Sequence, residues 1–456
     1  RRYRSRNRRR GPSSQHRSPP ATMPRRWRGE AVETLIWAAS FLVFAFLDLL
    51  DLALCFFYRV ADAVFEESSI PCHCWGTHRE GSSDANEAEA EAREQEGDGV
   101  SETLHERRNV FREMGFLTWC RRSREGGQGK GRLRSPRWSD CCCQTCVSWL
   151  DKGVDKLHFV VKEPSQAIHG HCSRRTTESV IFLHGFLSSS SFWAETVFPN
   201  LSESRNCRLF AVDLLGFGKS PKPADCLYKL NDHIRMIERT ILEQFQLDSF
   251  HLVAHSMGCI IALAIAAKHQ ELVRSITLVA PPYFCSEKEN TSHHVLCRLA
   301  PRRLWPPSLF GSAIMSWYEH LGRSICFIVC RNHRKWEWIL KLISRRDPHF
   351  MVVDLTKHTH HSAWHTVHNV IYGGAKSVDS HLEELNRSGI PVNVVHGSKD
   401  QVVPLECSCR MKSKVPLLDL QVIPGADHNT VVLGREEEFT RNLENLWFSS
   451  ENRSKD

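Results

Sequence analysis

The sequence predicts an α/β protein: a mostly parallel sheet with helices on both faces and a helical cap inserted into it. Three observations lead there. From about residue 156 onward, short apolar runs rich in β-formers alternate with helical stretches, as in a sheet buried on both faces. Several of these runs end directly in a loop bearing His, Asp or Ser, and such sheets place their active sites at the carboxyl ends of strands. Between two of the runs lies a long insertion rich in Trp, His and Leu.

The segments before that sheet read differently. Residues 1–22 hold eight Arg and no acid, so the chain's 60 basic and 52 acidic residues balance at 52 to 52 beyond it. A fold built to bind nucleic acid is therefore not expected. The Arg-rich stretch reads as an unstructured upstream extension or a disordered basic arm. In 23–66, Arg25, Arg26 and Arg28 precede the uncharged apolar run Leu35–Leu47, and a second apolar stretch spans Leu52–Tyr58. A basic flank before an apolar run predicts entry into the secretory pathway. Thirteen residues suit a signal peptide, with Ala61-Asp62-Ala63 as a cleavage site; both stretches together are long enough to anchor in a membrane. Asp48 and Asp51 stand three apart, on one helical face. A charge near a span's centre costs about 2.5–3.5 kcal/mol, which argues against a simple anchor. Cleavage and anchoring both remain open, and a buried core helix is the bland alternative.

Residues 67–155 read as a low-complexity, Cys-containing linker. DANEAEAEAREQEGD from Asp84 is acidic, and SREGGQGKGRLRSPR from Ser123 is rich in Gly and Arg. Neither buries enough apolar surface to offset chain entropy. Cys72 and Cys74, then Cys141, Cys142, Cys143 and Cys146, interrupt it among the chain's 18 Cys. Disulfides, lipidation beside a membrane segment, zinc and free thiols are all open readings. Sequons at Asn200, Asn290, Asn386 and Asn452 permit glycosylation of a secreted chain.

The sheet region, 156–450, carries the chemistry. The run from Glu178 ends in His184-Gly185-Phe186. The run from Cys207 ends in Asp213 and the turn Gly216-Phe217-Gly218, which lacks the continuation of a phosphate-binding loop and reads as structural. The strand Phe250–Val253 ends in Ala254-His255-Ser256-Met257-Gly258 and opens a helix over Gly258–His269; another helix is expected over Asn231–Phe245. Strand, Ser between small residues, then helix is the context of a nucleophile elbow. An ordinary N-cap serine is the bland alternative. After the strand Val392–Val395 comes Asp400, and after Leu418–Ile423 comes His428.

Ser256, Asp400 and His428 stand in the chain order of an α/β-hydrolase triad. Ser256 is the expected nucleophile, His428 the general base and Asp400 its orienting acid; Asp427 is the rival acid. The backbone N–H groups of Phe186 and Met257 are the expected oxyanion hole, and His184, Gly185 and His255 are expected beside the substrate. The insertion at about 283–376 is the cap. Its His358, His360, His361, His365 and His368 contain no His-Glu-x-x-His, so no cofactor and no catalytic metal is expected. Trp305, Trp317, Trp336 and Trp364 either line an acyl pocket or anchor the cap helices.

The stretches HGFLSSSSFW at His184, AVDLLGFGKSPKP at Ala211, FHLVAHSMGC at Phe250, SWYEH at Ser316 and SAWHTVHN at Ser362 resemble the plant BODYGUARD family of lysophospholipase-like α/β-hydrolases. So do SPRWSDCCCQTCVSWL at Ser135, LDLALCFFYRV at Leu50 and PCHCW at Pro71. The resemblance implies a secreted or membrane-anchored serine esterase in the epidermal cell wall, acting on lipid or cutin-precursor acyl esters in cuticle formation. An acyltransferase of polyester assembly shares the first half-reaction. A non-catalytic receptor or scaffold on the same fold is the reading of another class. A lipid or acyl-ester substrate and membrane association through 35–58 are the expected partners; no protein partner is identifiable.

Overall fold

The computed structural model describes residues 25–66, 100–104, 136–151, 156–164, 177–202, 206–284 and 290–453. The Arg-rich start, Cys72 and Cys74 lie outside the described residues. The strands are β1 (Phe159–Lys162), β2 (Glu178–Leu183), β3 (Cys207–Val212), β4 (Phe250–His255), β5 (Val273–Val279), β6 (Val392–Gly397) and β7 (Asp419–Ile423). They form one sheet in the order β1-β3-β2-β4-β5-β6-β7. Only the edge strand β1 runs antiparallel to its neighbour; the other pairings are parallel.

The central strands read as continuous apolar runs because both faces are covered. Val180, Phe182, Leu209, Ala211 and Val253 pack into one layer with Trp193 and Trp447. The alternate residues Ile181, Leu183, Phe210, Leu252 and Ala254 pack into the other. Before β5 the chain forms the helices α1 (Arg25–Phe65), α2 (Gln144–Asp151), α3 (Ser191–Thr196), α4 (Leu230–Ile237) and α5 (Met257–Lys268); α3 packs in the first layer through Phe192 and Trp193, whereas α1, α4 and α5 contribute to the second, with α5 at its centre. Helix α5 is apolar all round and buried from Met257 to Ala267, as a helix enclosed on every side must be.

Between β5 and β6 the chain leaves the sheet for the cap. Its helices are α6 (Thr291–Leu299), α7 (Pro307–Trp317), α8 (Glu319–Ile328), α9 (His333–Ser344), α10 (Phe350–Asp354) and α11 (His360–Thr366). Helices α12 (Val378–Ser388), α13 (Glu406–Lys414) and α14 (Glu436–Arg453) return to the sheet, α12 against α5. Of the four cap tryptophans, Trp317 is buried and donates to Ala300 O, and buried Trp364 stacks near His360 and His368. Trp305 and Trp336 are 62% and 41% exposed. These two do not line an interior pocket, so the four cannot form one acyl site together.

The N-terminal helix does not stand apart. Helix α1 lies on the cap, chiefly on α8, and its three buried acids explain why. Asp48 pairs with Arg302 at 2.9 Å and accepts from Tyr318 Oη. Asp51 accepts from the backbone N–H groups of His320 and Leu321 at 3.0 and 3.1 Å, capping the first turn of α8 from a neighbouring helix. Asp62 takes both guanidinium nitrogens of Arg323 at 2.7 Å, and Arg137 and Trp138 also donate to it. The acids that weigh against a bilayer span thus find their partners in protein. Residues Ser101–Leu104 also dock on the cap, through Ser101 N to Asn369 Oδ1 and Thr103 Oγ1 to His368 Nδ1.

Candidate active site

Strand β4 delivers Ser256 to the point where β4 turns into α5. Its backbone sits at φ 51°, ψ −120°, a conformation that costs a non-glycine residue of order 1–3 kcal/mol. The turn is held by Ser256 N donating to Val279 O and by Cys259 N donating to Ser256 O. The Ser256 side chain makes no helix-capping bond, so the N-cap reading is set aside. The elbow is crowded enough to dictate its neighbours. A Cβ on Gly258 would lie 2.7 Å from His184 O, and one on Gly185 would lie 3.2 Å from Ser256 Cβ and 3.0 Å from His255 Nδ1. Gly185, His184 and Ser256 are therefore brought together, with the N–H groups of Phe186 and Met257 on the two loops that meet there.

Loops after β6 and β7 bring in Asp400 and His428, the expected acid and base. His428 Nδ1 donates to Asp400 Oδ2 at 2.7 Å, which leaves Nε2 as the basic nitrogen. Val402 N and Val403 N donate to Asp400 Oδ1 at 2.8 and 2.9 Å. Burial pushes the Asp400 carboxyl up, but the bonds from His396 and His428, the His428 charge and the Val403 N–H outweigh it. Asp400 is held well below the usual carboxylate range and stays ionised. The rival acid, Asp427, is spent on its own turn, accepting from Asn429 N, Thr430 N and Thr430 Oγ1.

The two histidines expected beside the substrate are buried supports. His184 is fully buried; Leu214 N donates to its Nε2 at 2.9 Å, and its Nδ1 donates to Gly185 O. It ties the loop after β2 to the loop after β3. His255 donates from Nε2 to His428 O at 3.0 Å, stacks on Phe192 and lies 4.8 Å from the His428 ring. Burial, reinforced by the His428 charge, pushes His255 down to about 3, so it is a neutral strut beneath the base. Asp213 accepts from His158, Ser190 N and Lys219 N. A Cβ on Gly218, at φ +55°, would fall 2.3 Å from Asp213 Oδ2. The Gly-Phe-Gly segment thus wraps a carboxylate, which no phosphate could share.

Two supports escape a reading by motif. His396, at the end of β6, holds Ser408 Oγ at 2.6 Å through Nδ1 and reaches Val403 O at 3.0 Å and Asp400 Oδ2 at 3.3 Å through Nε2. Its signal was a His inside an apolar strand, four residues before the acid. Ser189 donates to Asp354 of α10 at 2.6 Å, joining the loop after β2 to the cap.

Comparison with known proteins agrees with this architecture. The model of the alpha/beta hydrolase fold matches residues 178–316. A probable lysophospholipase of Arabidopsis thaliana, BODYGUARD 4, is 49% identical over 90% of this chain and 97% of its own. BODYGUARD 5 and BODYGUARD 1 of the same plant are 46% and 39% identical, over 92% and 89% of this chain and 96% and 94% of theirs. Among solved structures, a mutant of DBJA is 18% identical with a TM-score of 0.48, covering 65% of this chain and 96% of that one. With about half its residues shared with BODYGUARD 4 along nearly the full length of both chains, the protein belongs to the BODYGUARD family of esterase-like α/β-hydrolases.

Proposed function

We propose that the chain is a serine hydrolase that cleaves acyl esters of lysophospholipid-like or cutin-precursor lipids through an acyl-Ser256 intermediate. The observation that carries the reading is Ser256 itself, a strained elbow serine with no capping bond; the Asp400–His428 pair at 2.7 Å supports it. In the first half-reaction Ser256 Oγ attacks the ester carbonyl while His428 Nε2 takes its proton. The N–H groups of Phe186 and Met257 hold the oxyanion. The C–O bond to the alcohol then breaks, and His428 returns the proton to the leaving oxygen. Water, deprotonated by His428, attacks the acyl-serine and releases the fatty acid. His184, Gly185 and His255 act as positioning residues for the loop and the base.

The setting follows from α1. It is long and apolar enough to cross a membrane by length and composition, yet Asp48, Asp51 and Asp62 are paired to the cap. We infer that α1 is retained and lies along a lipid surface, its acids turned into the protein and Trp37, Phe41, Phe46, Phe56 and Val64 exposed. A substrate drawn from that surface would be a lipid ester of the cuticle-forming epidermis.

The test is labelling of the full chain with a fluorophosphonate probe, beside Ser256→Ala and His428→Ala, with lysophospholipids and hydroxy-fatty-acid esters offered in parallel. Labelling and turnover should be present in the wild type and lost in both variants. A folded wild type that does not label would overturn the hydrolase reading. Labelling with acyl transfer to an added alcohol, and none to water, would replace hydrolysis by acyltransfer.

A further inference from the structure

The cysteines of the linker meet the cap. Cys141, Cys143 and Cys146 converge on His333, at the start of α9, with all four ligand atoms within 4.8 Å of one another. The three cysteines are close in the chain, and His333 lies 187 or more residues from each of them. Cys143 Sγ and Cys146 Sγ lie 3.6 and 3.5 Å from His333 Nε2. A tetrahedral zinc with Zn–S of about 2.3 Å and Zn–N of about 2.0–2.1 Å sets its S···N edges at about 3.5–3.6 Å. The other ring nitrogen, Nδ1, is 3.0 Å from Glu337 Oε1. That carboxylate–histidine arrangement orients a metal-bound imidazole and frees Nε2 for the ion.

A second cluster repeats the geometry independently. Cys326 Sγ and Cys330 Sγ lie 3.5 and 3.6 Å from His358 Nε2, and all three residues are buried. All five cysteines are unpaired thiols. A disulfide would join two sulfurs at about 2.05 Å and leave the imidazole and the third sulfur without a role.

We propose that the chain binds two zinc ions, one at Cys141, Cys143, Cys146 and His333, the other at Cys326, Cys330 and His358. Both are structural. The first set is closed by four protein ligands, and neither touches the Ser256 site. The first fastens the segment 136–151 to the start of α9, so the linker's Cys cluster becomes part of the cap, and the second ties the end of α8 to the entry of α11. The catalytic reaction needs neither ion.

The full chain, purified under reducing conditions without chelator, is assayed for metal by mass spectrometry. Two zinc equivalents per chain are expected. Cys146→Ser should lose one, Cys330→Ser the other, and Cys142→Ser, an exposed non-ligand, neither. Cobalt loaded into the stripped protein should show thiolate-to-metal charge-transfer bands and tetrahedral visible bands. If a variant does not fold, the wild-type stoichiometry and cobalt spectrum decide alone. A single equivalent in the wild type that is unchanged in Cys330→Ser and lost in Cys146→Ser would overturn the second site and keep the first. No bound metal, with disulfides or acyl adducts mapped to Cys141, Cys143 or Cys146, would overturn both.

Discussion

At the scale of single residues, the site divides into groups that do chemistry and groups that hold them. Asp400→Asn keeps the shape but loses the charge that fixes the His428 tautomer. We expect kcat to fall about 10⁴-fold, with fluorophosphonate labelling slowed in parallel. His396→Asn should weaken catalysis less, by about 10-fold to 100-fold, through lost support of Asp400. The discriminating readout is the acid limb of the kcat/KM profile: it should move in His396→Asn, whereas a purely structural defect would lower activity at every pH alike. The expected triad stands out in the sequence because each member follows an apolar run, and chain order alone sets Asp400 apart from an ordinary surface acid; the structure shows its Asp400–His428 bond. His396 was not, since a buried strand His most often serves packing. Nor was the supporting role of His184 and His255, because a motif does not say which way a ring nitrogen points.

At the scale of elements, the contact between α1 and α8 is a row of charges that tolerates little. Arg323 and Asp62 are both buried, and removing one member of such a pair costs about 3–5 kcal/mol. Asp62→Asn should therefore lower the unfolding temperature of the cap, as seen by hydrogen exchange across 319–328. The same contact depends on pH through His320. Burial pushes His320 down, but bonds to Asp51 and Cys55 and the nearby acids outweigh this and raise it to about 9. A raised histidine stabilises fully below its unfolded value of about 6.5, and the contribution is lost as pH rises through about 9. Thermal stability should fall between pH 7 and 10, and His320→Gln should flatten that slope. In the sequence, Asp48 and Asp51 register only as charges that do not suit a bilayer. Their partners Arg302 and His320 lie 254 and 269 residues away, beyond the reach of any local pattern. Hydropathy ranks α1 by its apolar face and carries no information about what its polar face meets.

At the scale of the whole molecule, the protein has a catalytic sheet, a cap over it and an apolar exterior on the cap side. Helix α9 also exposes Trp338, Leu342 and Ile343. Withdrawing a Phe side chain from water is worth about 1.5–3 kcal/mol. Phe41→Asp with Phe56→Asp should thus weaken binding to anionic phosphatidylglycerol-containing vesicles by about 100-fold or more in a sedimentation assay. Labelling of Ser256 by a soluble probe should not change. Equal sedimentation of variant and wild type would remove α1 from the membrane-binding surface. The sheet could be anticipated because its strands are short, apolar and regularly spaced. The joining of linker, cap and α1 could not, because it rests on pairings between distant and individually unremarkable side chains.

The pair formed by Asp62 and Arg323 closes a loop of 261 residues. Synthesis proceeds at about 5–20 residues per second, so α1 emerges tens of seconds before the helix that will receive it. During that interval Asp48 and Asp51 lack the cap partners they will meet, of its cations Asp62 can reach only Arg137, and the aromatic face has no cover. Closing so long a loop is entropically slow unless the intervening chain has already compacted. The sheet must therefore be in place first, and α1 arrives last although it is made first. A lipid surface that shelters the helix during the wait would act as a chaperone for the nascent chain as well as its later place of work.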